Sequence, residues 1–113
     1  FLTHRIGANR TAALAMLGGK IEAETAREWG LVHKVVDTND LRAEALALTE
    51  RLANGPTVAL GLIKQEIKAA QTATLEEAMR LEAACQGRAF DSEDFEEGVH
   101  AFQENRKPEF KGR

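Results

Sequence analysis

Tyrosine is absent from this chain, tryptophan and cysteine occur once each, and proline occurs only twice. A single cysteine, Cys85, excludes an internal disulfide and fits a reducing compartment. Aromatic residues make up 5% of the chain and the formal net charge is −3, so no basic stripe with interleaved aromatics is available to nucleic acid. No apolar run approaches the about 18 residues of a membrane span, and the opening FLTH is not the charged lead of a signal peptide. His4, His33 and His100 are too scattered to propose a metal site, and none has a second ligand spaced to help. Leu17-Gly-Gly-Lys20 lacks the G-x-x-x-x-G-K-[ST] spacing of a phosphate loop and is followed by Ile21, so the two glycines read as a helix end. The sequence opens on Phe1 rather than Met, so the expectation is a processed product or a piece of a longer protein.

Against these absences stand 43% apolar and 29% charged residues over 113 positions, the balance of one globular domain or part of one. A chain of this length buries roughly two thirds of its unfolded surface, enough for one small core. Helical spacing dominates. Asn9 reads as an N-cap for a helix over residues 11–17, and a short helix over residues 23–29 stops at Gly30. Residues 31–36, LVHKVV, have the β-branched character of an extended segment, and the turn-rich DTND follows. His4 is expected in extended chain as well.

Leu41, Ala45, Leu48 and Leu52 trace one face of a helix over residues 41–54, closed by Gly55. Pro56 suits the first turn of the next helix, where its missing donor costs nothing. The inner stripe expected there is Leu60, Ile63, Ile67 and Ala70. Thr74-x-x-Glu77 is a capping box opening another helix that runs to about Phe90. That helix carries apolar residues over a wide arc, which suits either a central core helix or a face shared with another subunit. Short loops favour antiparallel neighbours, and the fold class expected is mainly α, a small helical bundle with at most one short extended segment.

The stretch SEDFEEGVHAFQENRKPEF at residues 92–110 is a capped amphipathic helix in miniature. Asp91 or Ser92 can accept from its first-turn N–H groups, and Glu93, Asp94, Glu96 and Glu97 crowd its positive end. Phe95, Val99 and Phe102 fall at i, i+4 and i+7 on one face. Arg106 and Lys107 meet the negative end of the dipole, and Pro108 stops the helix. His100 follows Glu96 by one turn, the spacing of a solvated ion pair. Cys85, on an apolar arc, reads as a buried inert thiol. The paired acids Glu22/Glu24, Glu76/Glu77 and Glu96/Glu97 lie in first helical turns, where the dipole accounts for them. No complete catalytic constellation emerges from the residues.

Residues 92–110, with Asp-Phe, Glu-Gly-Val and Ala-Phe at these spacings and Arg-Lys-Pro-x-Phe after them, closely resemble the end of the enoyl-CoA hydratase/isomerase (crotonase) family. FLTHRIG at residues 1–7 resembles that family's Leu-Pro-Arg-Leu/Ile-Gly segment, lacking the proline. MLGGKIEAETA at residues 16–26 is similar to Leu-x-Gly-x-x-Ile-x-Ala-x-x-Ala, and WGLVHKVV at residues 29–36 to Gly-Leu-Val-x-x-Val-Val. LANGP at residues 52–56 and Lys64 also fall where the family places them. The pieces occur in the family's order along nearly the whole chain.

The resemblance implies that residues 1–113 are the C-terminal helical region of a longer subunit whose N-terminal α/β spiral binds the CoA thioester. It implies an enzyme acting on acyl-CoA by enolate stabilisation, in fatty acid metabolism, cytoplasmic, assembled as a homo-trimer or hexamer. CoA enters as substrate and no other cofactor is expected; nucleic acid and membrane are not expected partners. Two backbone N–H groups form the family's oxyanion hole and one or two carboxylates move protons. The resemblance places all of these upstream of Phe1, so no catalytic residue is expected here and the fragment alone is expected to be inactive. Phe102 matches an aromatic that packs near the CoA adenine in related enzymes, with a plain core residue as the other reading. The family's neighbouring lysine is Asn105 here, and Arg106 or Lys107 is expected to take over its contact with a CoA phosphate. The rival expectation is a free-standing helical oligomerisation module without catalysis.

Overall fold

The computed structural model describes residues 1–113 and contains six helices and no strand. They are α1 (Leu2–Leu17), α2 (Ala23–Glu28), α3 (Leu41–Ala53), α4 (Thr57–Ala69), α5 (Leu75–Phe90) and α6 (Glu93–Gln103). The mainly-α class expected from the sequence is the one observed. Two compact units, Phe1–Glu44 and Ala45–Arg113, divide the chain.

In the first unit α1 starts earlier than Asn9 and takes in His4, which is helical rather than extended. Asn9 lies inside the helix instead of capping it. Gly7 breaks the helix with φ 81° and ψ 163°, a conformation closed to side-chain-bearing residues, so two helical stretches meet there at a kink. The Thr11 hydroxyl donates to the Gly7 carbonyl at 2.9 Å and supports that junction. Ile6 and Ala26 are buried, and the Arg10 guanidinium lies 5.0 Å above the Trp29 ring.

Residues 31–36 form no strand. The Leu31 N–H is used to close α2, donating to the Ala26 carbonyl at 2.9 Å, and no second extended segment is present to pair with the rest. Lys34 instead ties the segment to the start of α3 through an ion pair with Glu44 at 2.6 Å.

In the second unit α4 packs on α5 and α5 on α6. The side of α4 that is covered carries Ala59, Leu62, Glu66 and Ala69, whereas Ile63 and Ile67 are exposed. The expected inner stripe is thus only partly covered: Leu60 is half-buried, whereas Ile63, Ile67 and Ala70 are exposed, Ile67 and Ala70 bordering a shallow pocket beside Ala78 and Leu81 of α5. Leu48 and Leu52 of α3 share a face as expected, and both stay about half exposed, at 49% and 48%. α5 turns Ala78, Leu81, Cys85 and Ala89 inward.

The capping box at Thr74 forms as expected: Thr74 Oγ1 accepts from the Glu77 N–H at 3.3 Å and Glu77 accepts from the Thr74 N–H at 2.8 Å. Pro56 sits one residue before the first turn of α4, as its N-cap, because its ψ of 84° is not helical; its carbonyl still accepts from Leu60 at 3.0 Å.

Candidate functional site

The residues proposed for ligand contact lie on α6 and the segment after it. Ser92 caps α6, accepting from the Phe95 N–H at 3.2 Å while its hydroxyl donates to the Ala89 carbonyl at 2.7 Å. That two-way bond fixes the turn between α5 and α6 and sets Phe95 against Phe90, with ring centroids 4.7 Å apart.

Phe95, Val99 and Phe102 share a face as the spacing requires, but it is not the buried one. Asp94 and Ala101 are buried, and Phe102 is 86% exposed. Within residues 1–113, then, Phe102 is not part of the core. The buried face of α6 is a stripe of small and acidic groups, Asp94, Gly98 and Ala101, which hydrophobic periodicity does not flag.

The end of α6 explains Asn105. Its φ is 54°, the left-handed conformation. The Arg106 N–H reaches the Ala101 carbonyl at 3.0 Å and the Asn105 N–H reaches Phe102 at 3.3 Å, which together make a Schellman motif. The same motif closes α2 at Gly30, and asparagine is the side-chain-bearing residue that best tolerates this backbone.

The chain then turns back, and Arg106 is carried to Glu97. Its two terminal nitrogens donate to the two Glu97 oxygens at 2.6 and 2.9 Å, and its Nε donates to Glu104 at 2.6 Å. The Glu97 carboxylate also accepts the Glu109 N–H at 2.7 Å. Arg106 and the Glu109 amide together hold the Glu97 carboxyl down at about 2, and Glu97, then Glu104, raise Arg106 above its ordinary value. Two carboxylates thus more than neutralise Arg106. Lys107 is exposed and takes part in none of the ion pairs, which leaves it as the available cation at this end. His100 pairs with no acid either, so the expected Glu96–His100 bridge is not formed.

Between the start of α4, α6 and the returning chain lies a cleft of about 460 Å³. Pro56, Phe95, Gly98, Phe102 and Phe110 line it, so its walls are mostly apolar and aromatic. Asp94 reaches it too, but both carboxylate oxygens accept backbone N–H groups, from Lys111 at 2.6 Å and Gly112 at 2.9 Å. A carboxylate so engaged is a structural acceptor and not a general base. No three His, Cys, Asp or Glu side chains converge as metal ligands, and no helix is long and apolar enough to cross a membrane. The arrangement suits holding a flat or apolar group. Cys85 is buried, and burial, then the Glu66 hydrogen bond, raises its thiol above the ordinary range.

Asp94 and Glu97 were visible in the sequence only as first-turn acids. The signal that separates them from Glu93 and Glu96 is positional: with Gly98 and Ala101 they fall at i, i+3, i+4 and i+7 along one covered face.

Residues 1–113 match the family described as Enoyl-CoA hydratase/isomerase. The chain is 45% identical to the 1,2-epoxyphenylacetyl-CoA isomerase of Escherichia coli K12 over 95% of its own length and 41% of the relative's. It is 32% identical to the mitochondrial enoyl-CoA hydratase of Pongo abelii, across 97% of this chain and 38% of that one. A crystal structure of enoyl-CoA hydratase from Bacillus anthracis superposes with a TM-score of 0.92 at 31% identity, covering 99% of this chain and 43% of the other. The chain therefore spans about two fifths of the length of these curated relatives.

Proposed function

The chain belongs to the enoyl-CoA hydratase/isomerase family, and on that premise we propose that the protein containing it acts on acyl-CoA thioesters through a stabilised thioester enolate. The match over residues 1–113 carries this reading. Enolate chemistry needs oriented N–H donors at the thioester oxygen and a carboxylate to move the proton. Residues 1–113 supply neither, so their part is to bind and assemble.

Phe102 presents its exposed ring to the adenine of CoA and Lys107 meets a CoA phosphate. Arg106, bound to Glu97 and Glu104, shapes the turn that carries Lys107. Exposed apolar side chains on α5, Leu75 and Met79 among them, support assembly as a homo-trimer or hexamer. The lone buried thiol supports a cytoplasmic setting. Among hydration, double-bond shift and ring-epoxide isomerisation, the 45% identical relative favours the last, so 1,2-epoxyphenylacetyl-CoA is the first substrate to try.

The test uses the full-length protein with crotonyl-CoA, a 3-enoyl-CoA and 1,2-epoxyphenylacetyl-CoA. Turnover of at least one is expected, and residues 1–113 alone should turn over none. Phe102→Ala should raise KM for the CoA thioester and leave KM unchanged for the matching pantetheine thioester, which lacks the adenine. Three inert substrates would sink the enzyme reading, and equal effects on both thioesters would sink the role of Phe102.

A further inference from the structure

The acids Asp94 and Glu97 have a use on α6 that neither capping nor the helix dipole explains. Asp94 is 3% exposed and its two oxygens accept the N–H groups of Lys111 and Gly112 at 2.6 and 2.9 Å. Its own N–H donates to the Arg113 carbonyl at 3.2 Å. One turn along, Glu97 accepts the Glu109 N–H at 2.7 Å. Three backbone amides of residues 109–112 therefore end on two carboxylates of a single helix face. These residues belong to no helix or strand, and charged acceptors are what hold them in place of a ladder.

The amides held on either side of Phe110 direct its ring to α6. A Cβ built on Gly98 would stand 3.7 Å from Phe110 Cε1, ordinary contact distance, so the ring lies directly against this surface of α6. At the far end Gly112 has φ 75°, and a Cβ there would collide with the Thr57 hydroxyl, so the strap runs hard against the start of α4. Phe110 lines the same cleft as Phe102.

The geometry points to Asp94 as a positioning residue for acyl-CoA binding: it latches residues 108–112 so that Phe110 forms a wall of the cleft that Phe102 lines. This rests on the acyl-CoA reading above, and the latch itself can be tested apart from it.

Asp94→Asn keeps the side-chain size but turns one acceptor into a donor facing an N–H group. In the full-length protein, hydrogen exchange at Lys111 and Gly112 should accelerate about tenfold or more. KM for the acyl-CoA substrate should rise about tenfold with kcat held within about twofold, the split expected when ground-state binding alone is lost. Phe110→Ala should give the same rise in KM with the two amides still protected. Unchanged exchange in Asp94→Asn overturns the latch. Accelerated exchange with KM unchanged in both variants overturns the positioning role, because a purely structural Asp94 would lower thermal stability and leave KM alone. If Asp94→Asn does not fold, Phe110→Ala decides by KM. A wild-type protein that neither binds nor turns over acyl-CoA overturns the acyl-CoA reading and the positioning role together, whereas an active wild type with unchanged KM in the variants overturns only the latter.

Discussion

Replacing Leu62 and Ile67 by alanine, one at a time, tests which face of α4 is inside. Leu62 is 5% exposed and Ile67 is 59% exposed, although periodicity ranks the Ile67 stripe as the inner one. Each substitution removes three carbons. At about 0.8 kcal/mol per buried carbon the transfer loss at Leu62 is about 2.4 kcal/mol, and a cavity that does not fully collapse takes it to about 3 kcal/mol. At Ile67 only the buried two fifths of that loss applies, about 1 kcal/mol. Alanine's better helix propensity over isoleucine returns about 0.4 kcal/mol. The expected costs differ by about 2 kcal/mol or more. Urea unfolding of the 113-residue chain, followed by helical circular dichroism, reads this directly. With a slope of about 1.5 kcal/mol per molar, Leu62→Ala lowers the midpoint by about 2 M and Ile67→Ala by less than about 0.5 M. An Ile67→Ala midpoint as low as that of Leu62→Ala would refute the assigned packing of α4.

Thr74→Ala removes the N-cap of α5 and should cost about 1 kcal/mol, seen as a lower Tm; an unchanged Tm counts against the box as a stabilising device. The Glu97 carboxyl, held at about 2 against an ordinary 4.5, contributes stability that is complete above about 4.5, declines as pH falls towards about 2 and is gone below it. A carbon-detected NMR titration should give a Glu97 midpoint near 2 in the wild type and a higher one in Arg106→Ala, and a wild-type midpoint above 4 contradicts the ion pair. Cys85 should react slowly with a thiol-specific disulfide reagent in the native chain and rapidly in urea; native-state reactivity equal to that of a free thiol contradicts its burial.

The helices of the second unit were legible because local chemistry declares them. Thr74 and Glu77 satisfy each other's backbone N–H groups within four residues, and the Ser92 hydroxyl caps α6 by accepting from the Phe95 N–H, so short-range physics sets those starts. The kink at Gly7 was not legible. An isolated glycine is compatible with a helix end, a turn or a break, and its neighbours in the sequence do not choose among them. The segment at residues 31–36, expected to be extended, forms no strand because a strand needs a second extended segment to pair with. The family resemblance read in the residue patterns was upheld by the match over residues 1–113.

Periodicity determined which side chains share a face: Leu60 with Ile63 and Ile67, and Phe95 with Val99 and Phe102. It carried no information on which face is covered, because that depends on what else packs there. Tertiary structure decided it, with α4 presenting Ala59, Leu62 and Ala69 to its neighbour and α6 turning Asp94, Gly98 and Ala101 inward. The pairing of Arg106 with Glu97 and the grip of Asp94 on Lys111 and Gly112 span 9, 17 and 18 residues, beyond the reach of any local rule. They form because the left-handed turn at Asn105 sends the chain back along α6. The sequence alone determined the helices of the second unit and the family; the start and kink of α1, the return of the chain, and with it the cleft, belong to the three-dimensional fold.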